Sequence, residues 1–76
     1  MQFPTRDEVE SLRKQYPEGT VVELDYMDDS QAPPIGTRGV VKSVDGGGQL
    51  QISWETGHGL ALIPGVDRFH KITEEE

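Results

Sequence analysis

Hydrophobic positions first recur at helical spacing and then, after Gly19, at a spacing of two. Val9, Leu12 and Tyr16 stand at i, i+3 and i+7, a narrow stripe that predicts a short helix over residues 4–16. Thr5 and Glu8 have the spacing of a capping box. Asp7, Glu8 and Glu10 lie in its first turns and Arg13 and Lys14 in its last, the distribution a helix dipole favours. Pro17 stops the helix. At about 12 residues it is marginal alone and needs a surface to dock on.

Beyond the helix the pattern is that of strands. In residues 20–26, Val22, Leu24 and Tyr26 share one face while Glu23 and Asp25 take the other. Residues 28–34 are polar and end in Ala32-Pro33-Pro34, which reads as a loop. A tight turn over 35–39 leads into a strand at 40–44, where Val41 and Val44 break the alternation and predict a bulge near Lys42-Ser43. Asp45-Gly46-Gly47-Gly48 is a hairpin loop. Residues 49–55 alternate cleanly, with Leu50, Ile52 and Trp54 against Gln51, Ser53 and Glu55. A further strand is expected over 58–63, with Leu60 and Leu62 on one face. Pro64 to Asp67 turns the chain, Phe69 and Ile72 close the core from a last short strand, and 73–76 form an acidic tail. The 76 residues leave room for one domain, 1–76. Short strands with Gly and Pro turns predict a mainly β fold. The specific expectation is a small five-stranded SH3-like barrel over 20–72, with one N-terminal α-helix over an open end. Closure would remove the exposed edges that so small an open sheet presents.

Charge changes the picture more than composition does. Fourteen acids face seven bases, a net charge of −7. Direct nucleic-acid binding and attraction to an anionic membrane are therefore disfavoured. There is no cysteine, so no disulfide and no thiolate zinc site. No apolar run approaches the roughly 18 residues of a membrane span, and no signal peptide is visible, so a cytoplasmic protein is expected.

Several stretches together carry a resemblance. They are Tyr-Pro-Glu-Gly-Thr-Val-Val-Glu-Leu (16–24), Met-Asp-Asp (27–29) and Ala-Pro-Pro-Ile-Gly-Thr-Arg-Gly-Val-Val (32–41), then Trp54 with Gly57, and Leu-Ala-Leu-Ile-Pro-Gly-Val-Asp (60–67). Over residues 6–72 the chain resembles the small family named Domain of Unknown Function 4314. The resemblance implies an SH3-like barrel carried by Gram-positive bacteria, their phages and other mobile elements. It implies no reaction, and a fold does not supply a function.

The residues themselves argue against most chemistries. Ser11, Ser30, Ser43 and Ser53 sit in no nucleophile motif. His58 and His70 lie twelve residues apart without a close-spaced partner, and Asp25, Asp28 and Asp29 lack the spacing and closing Glu of a calcium loop. No metal site and no cofactor is therefore expected. Gly36 and Gly39 flank a turn whose amides, with Arg38 and Lys42, make the case for a nucleic-acid-associated module as the alternative reading. Proline-rich peptide recognition needs an aromatic groove. With Trp54 and Phe69 in the core, Tyr16 and Tyr26 are too few to build one. What remains is an acidic stretch: Glu18, Glu23, Asp25, Asp28 and Asp29 with no base among them. Carboxylates on a rigid sheet imitate spaced phosphates and steer association. The chain thus reads as a non-enzymatic protein-binding module that takes a partner with a basic surface. The partner face comprises Glu23, Asp25, Asp28 and Asp29, with Tyr26 and Met27 as apolar anchors. On a mobile element it would suit an inhibitor of a host nuclease or of a defence system such as CRISPR-Cas.

Overall fold

A computed structural model describes residues 5–72; Pro4 at the expected helix start and the acidic tail 73–76 lie outside them. One helix, α1 (Arg6–Gln15), precedes four strands: β1 (Val21–Tyr26), β2 (Arg38–Val44), β3 (Leu50–Trp54) and β4 (Arg68–Lys71). The strands form one antiparallel sheet in the order β3-β2-β1-β4.

This is an open sheet of four strands, not a closed barrel of five. Residues 58–63, expected as a strand, make only an isolated bridge between Leu62 and Leu50, with paired backbone bonds of 2.8 and 2.9 Å. The reason is local. Gly57 (φ 87°) and Gly59 bracket His58, and Pro64 follows at once, so no ladder can extend in either direction. The segment still covers the core: Leu62 is fully buried, and the carbonyl of Leu60 accepts the indole N–H of Trp54 at 2.7 Å.

The helix forms for the reasons its sequence states. Thr5 Oγ1 accepts the amide of Glu8 at 3.1 Å, and Glu8 Oε1 accepts the amide of Thr5 at 2.8 Å, a reciprocal capping box. Val9 is its one fully inward residue, and Leu12 and Tyr16 pack more loosely on the same side. The helix lies across the end of the sheet where β2 and β4 finish. There Arg13 Nε donates to the Val44 carbonyl at 3.2 Å and Lys71 Nζ to the Gln15 carbonyl at 2.9 Å. Tyr16 also tilts against Phe69, ring centroids 5.6 Å apart, under the Lys71 ammonium.

One face of the sheet makes the core. Val22 and Leu24 of β1, Val41 and Val44 of β2, and Leu50, Ile52 and Trp54 of β3 are buried with Val9, Met27 and Leu62. Each fully buried Val or Leu contributes about 1.5–3 kcal/mol by transfer. A shift of register between Val41 and Ser43 lets both Val41 and Val44 point inward. Gly39 makes the sheet fit. A Cβ there would strike Ile52 Cγ2 and come within 2.9 Å of Trp54 Cε3, so the absent side chain is the space the indole fills. Met27, expected at the partner face, is instead 9% exposed and belongs to this core. Tyr26, placed by alternation with Val22 and Leu24 and also expected as an anchor of the partner face, is 50% exposed, because the β1–β4 register slips between Leu24 and Tyr26.

Candidate functional site

Of the expected partner residues, Glu23 and Asp25 do lie on the outer face of β1, but they do not form a bare acidic row. Glu23 is registered to Arg38 on one side and His70 on the other. Arg38 Nε donates to Glu23 Oε1 at 3.2 Å. His70 Nδ1 stands 2.9 and 3.0 Å from the two carboxylate oxygens of Asp25, and its Nε2 is 4.0 Å from Glu23 Oε2. Glu55 on the far side accepts the Arg38 amide at 3.2 Å. The outer face therefore carries a ladder of alternating charge across the sheet. The segment from 18 to 29 has no base of its own, and the fold supplies two from residues 15 and 45 positions further along the chain.

Other carboxylates are committed to local structure. Asp45 organises the β2–β3 loop, accepting the amides of Gly47 (3.0 Å) and Gln49 (2.9 Å) and the Gln51 side-chain amide (3.0 Å). The Gln49 bond is the main reason its pKa lies below the ordinary 3.8, so its stabilising effect is present above that value and is lost as acid protonates it. Asp67 Oδ2 holds the Ile63 amide, and Asp29 Oδ1 holds the Gln31 amide in an Asx turn. Asp28 accepts no such bond among the described residues, and both Asp28 and Asp29 remain exposed.

The alternative site, at Arg38 and Lys42, is not brought together. Arg38 begins β2 and Lys42 lies four residues further along it, and Arg38 is already paired with Glu23. The amides of the turn leading into β2 are also taken. Gly36 donates to the Leu24 carbonyl at 2.8 Å, Thr37 to that of Pro34 at 3.1 Å, and Arg38 to Glu55. An anion-binding cradle needs those donors free. His58 turns its Nδ1 to Thr56 Oγ1, and no three His, Asp or Glu side chains among the described residues converge as metal ligands. No helix among them is long and apolar enough to cross a membrane.

The feature the sequence disclosed only in part, through Tyr26, is apolar. Tyr26 ends β1, Ile35 lies in the turn just before β2, and Val66 in the turn just before β4; they are 50%, 69% and 70% exposed. β1 runs antiparallel to both neighbours, so its end and their beginnings form one rim of the sheet. The bond from Gly36 to the Leu24 carbonyl carries the pairing toward Ile35 on one side, and the Tyr26↔Arg68 register brings the Val66 turn up on the other. Asp28 and Asp29 follow Tyr26 after the one buried residue Met27. A helix docked at the far end leaves this rim to loops.

A family model described as "Domain of unknown function (DUF4314)" matches residues 5–72. No curated protein and no solved structure matches the chain. The described fold and the matched segment coincide, from the Thr5 cap to Ile72, and the chain accordingly belongs to the DUF4314 family.

Proposed function

We propose that this protein is a non-enzymatic, cytoplasmic protein-binding module that docks the rim carrying Tyr26, Ile35 and Val66 against a partner with a basic surface. The observation that supports this reading is the placement of three exposed apolar side chains beside two exposed carboxylates, Asp28 and Asp29, on one end of a rigid sheet. Aromatic and aliphatic anchors with a charged margin are the composition of a protein-binding hot spot. The carboxylates steer a basic partner into register, and the apolar residues hold it. Glu23 and Asp25, balanced by Arg38 and His70, set the face beside the rim rather than the contact itself. On a phage or mobile element such a module acts by occlusion, as an inhibitor of a host nuclease or other defence protein.

The test is capture from source-cell lysate by three folded variants beside the native chain: Asp28→Lys with Asp29→Lys, Tyr26→Ala with Ile35→Ser, and Lys42→Glu on the sheet away from the rim. The expected result is a basic protein retained by the native chain and by Lys42→Glu and lost by both rim variants. Retention of the same protein by both rim variants removes the rim from the function. Recovery of nucleic acid without protein replaces the reading with the Arg38 and Lys42 alternative.

A further inference from the structure

β4 is the strand with the least to hold it. It has four residues and a single neighbour, β1. The 2.8 Å bond from the Ile72 amide to the Val21 carbonyl sets the phase of that ladder. His70 therefore exchanges backbone bonds with Glu23, while Phe69 and Lys71 turn theirs toward the open edge. On the core side β4 is held by Phe69 against Tyr16 and by the Lys71 ammonium on the Gln15 carbonyl. On the outer side it is held by one side chain, His70, with Asp25 at one ring nitrogen and Glu23 toward the other.

A protonated imidazole carries an N–H for each of those carboxylates. A neutral one carries a single N–H, keeps the Asp25 bond at most, and leaves Glu23 to Arg38. The other charged groups nearby do not replace it. Arg38 is already on Glu23, Lys71 is turned to the helix, and Arg68 makes no ion pair among the described residues. We propose that His70 is a pH-operated latch fastening the edge strand β4 to β1, tight when the imidazole is protonated and slackened when it is not. The hydrogen bond to Asp25, aided by the charges of Asp25 and Glu23 and opposed by partial desolvation and by Arg38, raises the pKa of His70 above its ordinary 6.5. The stabilisation is therefore complete below that value and is lost as pH rises through the raised one. Because β4 starts at Arg68, opposite Tyr26, the latch also governs how firmly the Val66 turn is held at the rim. The latch stands on this geometry whether or not the rim binds a protein.

The experiment is NMR on the full chain from pH 5.5 to 8.5. It follows the ring signals of His70 and the protection factors of the His70 and Ile72 amides. The Val41 amide, which donates to the Thr20 carbonyl, is the reference. Protection of the two β4 amides is expected to fall about two- to fivefold across the His70 titration while Val41 holds level, the scale of an exposed ion pair. Asp25→Asn should lower the His70 midpoint and flatten the step. A His70 midpoint at or below 6.5, β4 protection that stays level, a fall shared equally by Val41, or a step that persists in Asp25→Asn would each overturn the latch.

Discussion

The two faces of the sheet are built from the same strands and obey different physics. The inner face is apolar, closely packed and fitted to within a methyl group, as Gly39 beneath Trp54 shows. The outer face is a row of polar contacts: Glu55 on the Arg38 backbone amide, the Arg38 guanidinium on Glu23, and His70 on Asp25, with Glu23 27% exposed at its centre. Burial stabilises in proportion to area removed from water, whereas exposed ion pairs gain little over their hydrated state. The inner face therefore decides whether the chain folds, and the outer face sets the charge the sheet presents to solvent.

Three experiments test that division. Leu50→Ala empties a site that is fully buried and linked to both β2 and Leu62. It is expected to cost about 2–5 kcal/mol in chemical denaturation. A chain of this size has roughly 4–11 kcal/mol in total, so the variant sits close to unfolding. Gly39→Ala adds only a methyl group, yet the inner face has no room for it, and a loss of about 1–3 kcal/mol is expected. The double-mutant cycle of Glu23→Gln with Arg38→Gln is expected to give a coupling below about 1 kcal/mol that shrinks further in salt. A cycle energy matching the Leu50→Ala loss would break the comparison by making the outer face a structural element in its own right.

The elements that could be read along the chain are those whose signal is local. The capping box of Thr5 and Glu8 needs only three residues of separation, and it is present with both bonds made. The bulge expected near Lys42-Ser43 follows from two valines three apart, and the register does slip between Val41 and Ser43. Leu50, Ile52 and Trp54 alternate inward as their period requires. The expected fifth strand was read from Leu60 and Leu62, and those residues do turn toward the core. The strand fails because Gly57, Gly59 and Pro64 deny it a ladder. Apolar alternation reports burial, and burial is not the same as pairing.

The site was less legible for the same reason. Met27 lies in an acidic stretch and was expected at the surface, but the loop folds it under the sheet. Tyr26 follows the alternation of Val22 and Leu24 and was also expected as a surface anchor; it is a slip in the β1–β4 register that places it at the rim. Ile35 and Val66 carry no distinguishing pattern of their own, and only the antiparallel placement of β1 between β2 and β4 sets them at one end.

Period, capping chemistry and turn residues act over a few positions, so residue order alone was enough to set α1, the core-facing sides of β1, β2 and β3, and the Asp45 loop. Long-range pairing follows no such rule. The ion pair of Glu23 with Arg38 and the hydrogen bond of Asp25 with His70 span 15 and 45 residues. The open edges of β3 and β4 and the exposed rim beside Asp28 and Asp29 likewise arise only when the strands pair. Charge and exposure are properties of neighbours in space, and the packed sheet alone decides who those neighbours are.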